Sequence, residues 1–133
     1  MDFLWSKEQE ARYHYILHES QKRFDRCVLR VDDPWNAAHW QACSELGLLG
    51  LCAPTQYGGE GLDALTTAHS LEAFGRGCAN MGLVFSVAAH LFACIMPIAE
   101  FGTPDLKERF LPSFSLVSGF PISRLKSKQS VHI

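Results

Sequence analysis

The side chains in this 133-residue chain that could do chemistry are its histidines, cysteines and a few carboxylates, and their spacing sorts them. His14 and His18 stand four apart, the interval at which helical metal sites present two imidazoles on one face. No third ligand and no His-Glu-x-x-His pattern accompanies them, so the pair reads as a surface coincidence. Tyr57-Gly58-Gly59-Glu60-Gly61 is glycine-rich enough to suggest a phosphate loop. It lacks the flanking strand and helix of a dinucleotide loop and carries a carboxylate where phosphate would sit, so it reads as a structural turn. No Ser-His-Asp or Cys-His arrangement can be drawn, and Cys52 and Cys94 read as buried apolar groups. His90 lies in an apolar stretch, where a hydrogen-bonded core histidine is the ordinary reading and a ligand or base the sharper one.

The composition limits what these residues can serve. Hydrophobic residues make up 47 % and charged residues 20 %, a globular balance with enough apolar surface for one core. A net charge of −2 and a pI near 6.3 give no reason to expect nucleic acid or an anionic membrane surface as a partner. Five cysteines at 27, 43, 52, 78 and 94, an odd number without a Cys-x-x-Cys pair, suggest reduced thiols and a cytoplasmic protein. The first residues lack the basic start and apolar run of a signal peptide.

Helices must position whatever site exists. Ser6-Lys7-Glu8-Gln9 is a capping box, and Tyr13, Ile16, Leu17, Phe24 and Val28 recur at helical spacing to about Arg30, with Arg12 among the polar positions. Asp33-Pro34 starts a second helix that runs to Leu46, with Gly47 as a left-handed stop. A third spans Ala64 to Gly77, with Leu65, Ala68, Leu71 and Phe74 on or near one face and Gly75 and Gly77 weakening its end. Gly102 breaks the chain, Thr103-Pro104-Asp105 restarts it, and a short last helix ends at Leu111-Pro112. No segment shows strand alternation, so the expected class is all-α.

Between these lies Asn80 to Phe101, in which Met81 to Ala99 are nineteen residues without Asp, Glu, Lys or Arg. That is close to the length of a transmembrane helix, and it also suits a central helix buried on all sides by others. Gly82, Ser86, His90 and Pro97 make it a mediocre lipid-facing helix, and no Lys/Arg cluster flanks it.

Several stretches belong together. They are Glu45-Leu46-Gly47-Leu48-Leu49-Gly50-Leu51, Pro54, Tyr57-Gly58-Gly59-Glu60-Gly61-Leu62, Glu72 and Gly77-Cys78-Ala79. With them go the uncharged helix with His90, Phe101-Gly102-Thr103-Pro104, Lys107, Arg109-Phe110-Leu111-Pro112 and Ser118-Gly119. In this order and at these separations the chain resembles the N-terminal domain of the flavin-dependent acyl-CoA dehydrogenases, oxidoreductases of fatty acid metabolism. The resemblance implies an up-and-down helical bundle over residues 1–118, an interior uncharged helix and no membrane span. Glu72 would anchor a helix contact rather than act as a base.

The family's reaction is removal of two hydrogens across the α–β bond of an acyl thioester, with FAD accepting the hydride. The resemblance places Phe85, Ser86, Ala89 and His90, which share about a third of a helical circumference, in one wall of the acyl pocket. Large Phe85 would shorten that pocket and Ala89 would open it, while ordinary core packing is the alternative for both. The flavin-binding barrel, the C-terminal helical domain and the glutamate base of the family would all lie beyond residue 119. There the chain departs into the basic stretch 119–133, expected to be a disordered tail, with no barrel signature. A truncated or frame-shifted product, a spliced short form or an artificial end would each explain this.

No catalytic, cofactor or metal residue is therefore assigned, and FAD is expected in the complete enzyme but not on this chain alone. The substrate would be an acyl-CoA or acyl-carrier thioester. A non-catalytic helical module, binding itself, a full-length family member or an acyl carrier through an uncovered apolar face, is the alternative. A single-pass membrane protein is the third reading.

Overall fold

Ser6 opens the first helix by reciprocal bonding: the Gln9 amide donates to Ser6 Oγ at 3.2 Å and the Ser6 amide to Gln9 Oε1 at 2.8 Å. The structure, a computed structural model, describes residues 4–24 and 37–114. The expected run of the first helix to Arg30, the Asp33-Pro34 start and the 119–133 tail lie outside these residues. Helix α1 is Lys7–Phe24, α2 is Ala37–Glu45 and α3 is Ala64–Gly77. Short 3₁₀ turns at Leu48–Gly50 and Thr55–Tyr57 join α2 to α3. A long helix follows as α4 (Met81–Ala89), a π-helical turn (His90–Ile95) and α5 (Met96–Phe101), and α6 (Pro104–Phe114) folds back beside α5. Among the described residues there is no strand, and the all-α class holds. Gly47, at φ 80°, ends α2 as its sequence position implied.

Helices α1 and α3 form the closest pair. The sequence suggested a third-helix face of Leu65, Ala68, Leu71 and Phe74, yet Leu65 and Ala68 are exposed. The buried face instead carries Thr66, Thr67, His69, Ser70, Ala73, Phe74 and Gly77. Three of these are hydroxyl residues satisfied within or beside their own helix. Thr67 Oγ1 donates to Asp63 O and Ser70 Oγ to Thr66 O, each at 2.8 Å, and Gln9 Nε2 donates to Thr66 Oγ1 at 2.8 Å. A self-satisfied hydroxyl is cheap to bury, so Thr66, Thr67 and Ser70 join the face although they are polar. Gly77 sits against Ser20 of α1, where a Cβ would come within 2.6 Å of the Ser20 Cβ.

Arg12, read from sequence as a polar outer position, is only 4 % exposed. Its guanidinium is ion-paired with Glu60, so the loop carboxylate supplies the counter-charge that lets it enter the interior. Glu72 anchors α3 to α1 as expected: Tyr13 donates its hydroxyl proton to Glu72 Oε1 at 3.3 Å and accepts from Arg76 Nη1 at 2.7 Å.

Phe24, Phe74, Leu48, Leu51, Val87, Leu91, Ile95 and Leu111 are fully buried and make the centre of the core. Thr103 caps α6, accepting from the Leu106 amide at 3.3 Å. That helix passes through Pro112 to Phe114 instead of ending at Leu111-Pro112. One missing amide close to a helix end removes a single bond, while continuation keeps Leu111 in the core and Phe114 packed against it.

Candidate functional site

The long helix carries the residues with a pocket role implied. Asn80 caps its start, accepting from the Leu83 amide at 2.9 Å. In the turn His90–Ile95 the bonding shifts to five-residue closure, the Met96 amide donating to Leu91 O. The buried positions are Leu83, Val87, Leu91 and Ile95, four apart each time. On the opposite side Met81 (54 %), Phe85 (75 %), Phe92 (39 %) and Phe101 (85 %) are exposed. The helix is therefore not buried on all sides. Met81–Phe101 has the length and apolarity of a membrane span, with a mean hydropathy of 2.0 and only 22 % of its most apolar stretch buried. The described residues engage one stripe and leave the other uncovered.

The four expected wall residues do not share one environment. Phe85 projects outward. Ser86 is half-buried and donates to Gly82 O at 2.8 Å, and Ala89 is half-buried beside it. His90 turns toward a cleft lined by Trp40, Gln41, Ser44, Leu49, Ser113 and Phe114. Its Nε2 is 3.3 Å from Phe114 O, and its ring stands edge-on to those of Trp40 and Phe114 at 5.5 and 5.8 Å. Burial holds its pKa below the usual 6.5, so the ring is neutral at neutral pH. These contacts are those of a hydrogen-bonded interior histidine.

The glycine loop is, by its composition, a candidate cradle for a flavin pyrophosphate. A phosphate cradle needs free amides, and here they are spent: Gly58 donates to Thr55 O, Gly59 to Pro54 O, Glu60 to Gly50 O, Gly61 to Ala53 O and Leu62 to Leu51 O, all within 3.2 Å. Glu60 adds a carboxylate turned toward Arg12. Desolvation raises its pKa, opposed by that guanidinium. The loop is a structural clasp and does not fit a flavin phosphate.

The other reactive candidates are also quiet. His14 and His18 are exposed, lying 3.5 Å from Glu10 and 3.7 Å from Glu19, and no cluster of metal ligands occurs among the described residues. Cys43 is pushed up to about 12 by burial, with Cys78 nearby adding to the shift. Cys52 is half-buried, raised by burial, and donates to Leu91 O at 3.7 Å, so neither thiol is an activated nucleophile. Cys94 is exposed, contrary to the sequence reading, because it lies in the π turn away from the buried stripe. That turn and the exposed Phe92 and Cys94 on it were missed. The available signal was the strict four-residue spacing of Leu83, Val87, Leu91 and Ile95, which a straight α-helix cannot keep on one side.

An all-helical domain with this clasp and this one-sided apolar helix matches the family described as acyl-CoA dehydrogenase, N-terminal domain, over residues 16–117, and the chain belongs to the acyl-CoA dehydrogenase family. Among its relatives, the L-prolyl-[peptidyl-carrier protein] dehydrogenase of Pseudomonas fluorescens is 44 % identical over 115 residues, covering 86 % of this chain and 30 % of the relative. The crystal structure of the prolyl acyl carrier protein oxidase AnaB superposes with a TM-score of 0.75 at 34 % identity, covering 85 % of this chain and 30 % of that one. A structure of PigA with FAD and proline gives 0.68 at 31 % identity, covering 87 % and 31 %. The chain thus spans about three-tenths of the length of these relatives.

Proposed function

We infer that residues 1–118 are the helical domain that contributes one wall of the acyl pocket in a flavoprotein dehydrogenase acting on an acyl thioester. The observation that carries this is the uncharged open stripe of the long helix, with Phe85 and Ala89 on its accessible side and nothing among the described residues covering it. An apolar, rigid, helix-borne surface suits the hydrocarbon part of a substrate. The complete enzyme would dehydrogenate the α–β bond, its FAD supplying the hydride acceptor. The amides of the clasp are bonded within the loop, which supports a part of shape and the exclusion of water for this chain.

Carrier-protein-bound proline is a better-supported substrate than a fatty acyl-CoA, because the P. fluorescens relative is a prolyl-carrier-protein dehydrogenase and AnaB a prolyl acyl carrier protein oxidase. A bulky Phe85 suits this too, since it would shorten a pocket to the depth of a compact ring. The partner would then be the carrier protein, and the location the cytoplasm. A membrane span has less support, because Leu83, Val87, Leu91 and Ile95 are already engaged by the domain.

The test is a chimera in which residues 1–118 replace the matching segment of the P. fluorescens enzyme. It should retain FAD and oxidise the prolyl thioester, and Phe85→Ala should shift preference toward longer acyl groups. A flavin-loaded chimera with no turnover, or with acyl preference indifferent to Phe85→Ala, would refute the wall. Turnover by the 133-residue chain with its own flavin would refute the supporting role.

A non-catalytic interaction module is the second reading, favoured by two phenylalanines as exposed as Phe85 and Phe101.

A further inference from the structure

We propose that Ser86 determines specificity within the pocket wall, its hydroxyl oxygen accepting a hydrogen bond from the ring nitrogen of a prolyl thioester. This rests on the pocket-wall reading and deepens it, since that reading gives the wall a shape but no polar contact.

The open side of the long helix offers one strong acceptor. From Met81 to Ala99 only Ser86, His90 and Cys94 carry a hydroxyl, an imidazole or a thiol. His90 turns away to Phe114 O and the Trp40 ring, and a thiol is a weak acceptor. Ser86 is half-buried at the edge of the exposed side. Its Oγ commits its one proton to Gly82 O at 2.8 Å, and no described residue donates to it. A serine hydroxyl has one donor and two acceptor lone pairs, so what Ser86 presents to a ligand is acceptance alone. That rules out the thioester carbonyl oxygen as its partner and admits an N–H. Once the pocket is closed, the lone pairs and the ring N–H both lose water, and each satisfies the other.

The placement suits a five-membered ring. At about 100° per residue along α4, Ala89 falls between Phe85 and Ser86, about 40° from the first and about 60° from the second. Gly82 lies in the same sector, exposed and without a side chain. A ring resting on Ala89 and Gly82 has the Phe85 ring to one side and the Ser86 hydroxyl to the other, so its carbons and its nitrogen are told apart. A hydrocarbon acyl chain in that position leaves the Ser86 lone pairs unmet.

The test compares two carrier-protein thioesters on the flavin-loaded chimera: prolyl, and cyclopentanecarbonyl, in which a CH₂ replaces the ring N–H. The readouts are kcat/KM for the prolyl thioester and the inhibition constant of the cyclopentanecarbonyl thioester against it. Ser86→Ala should lower the first about tenfold, the size of one hydrogen bond, and leave the second unchanged. Alanine is the better helix former, so α4 is kept. No loss for the prolyl thioester, or an equal or larger loss for the cyclopentanecarbonyl one, would overturn the contact. The wall would then still stand, because Phe85→Ala reads it separately. A chimera that loads flavin and turns over nothing removes the wall and this contact with it.

Discussion

Gly75 and Gly77 stand two apart at the end of α3, and an alanine at each should move stability in opposite directions. Both substitutions gain helix propensity, about 1 kcal/mol in a helix interior and less in a last turn. At Gly75 a Cβ would lie 3.7 Å from Val84 Cγ1, ordinary contact, so Gly75→Ala should keep the gain and stabilise by about 0.5 kcal/mol. At Gly77 the Cβ would meet Ser20 Cβ at 2.6 Å, Leu17 O at 2.8 Å and Gln21 N at 3.1 Å. All three belong to the backbone of α1 or are fixed to it, so no side-chain rotation relieves the clash. Normal separations of about 3.5–4.0 Å require α1 and α3 to part by about 1 Å. Such overpacking costs about 1–3 kcal/mol, and the gap would extend to Tyr13 and Phe24 in the same seam. Gly77→Ala is therefore expected to lose about 1–2 kcal/mol net. Urea unfolding followed by far-ultraviolet circular dichroism would show the Gly75→Ala midpoint rising and the Gly77→Ala midpoint falling at equal slope. A Gly77→Ala midpoint at or above wild type would refute the close approach. Equal losses at both sites would show that helix-end geometry, rather than Ser20, decides.

Three further predictions concern the interior ionisable groups. Arg12→Ala should destabilise by about 3–5 kcal/mol in the same urea assay, since it strands the Glu60 carboxylate, whereas Glu60→Gln should cost less. Because the Glu60 pKa is raised on folding, its contribution to stability is full below the ordinary 4.5 and falls as pH rises through the folded value. Glu60→Gln should remove that slope, and an unchanged slope would contradict the assignment. His90 has the opposite sign: its pKa is lowered on folding, so its contribution is full above 6.5 and is lost as pH falls through the folded value. His90→Gln should flatten the stability curve on the acid side of 6.5, as measured by urea midpoints against pH.

Caps and stops were legible in the sequence because each is a local bargain between one side chain and the nearest backbone. The Ser6/Gln9 box, the Gly47 stop and the Thr103 cap depend on neighbours three residues away or fewer, and all stand as read. The missed features depend on partners far along the chain. Arg12 looks like any surface arginine until Glu60, 48 residues later, is folded onto it. Apolarity alone does not predict the α3 face: Leu65 is large and exposed, while Ser70, Ala73 and Gly77 are small and buried, Gly77 directly against Ser20 of α1. Of the candidate site, the stretch and its apolar character were readable. The divergence between outward Phe85 and inward His90 was not, because a helical wheel fixes angles but not neighbours.

A helix without charge for nineteen residues cannot declare its inner side by polarity, so its orientation must be written in spacing. On an ideal α-helix each four-residue step advances about 40° past a full turn. Leu83 and Ile95 would then differ by about 120°, and Ile95 would leave the core. Both are buried because the turn His90–Ile95 winds more loosely and reverses that drift. On the far side Met81, Phe85 and Phe92 fall within about 40° of one another without that correction. The π turn thus holds the buried stripe continuous and turns Phe101, about 160° from Phe85 on an ideal helix, back toward the exposed side. Whatever lies against that exposed side meets a surface shaped by how the core is packed behind it.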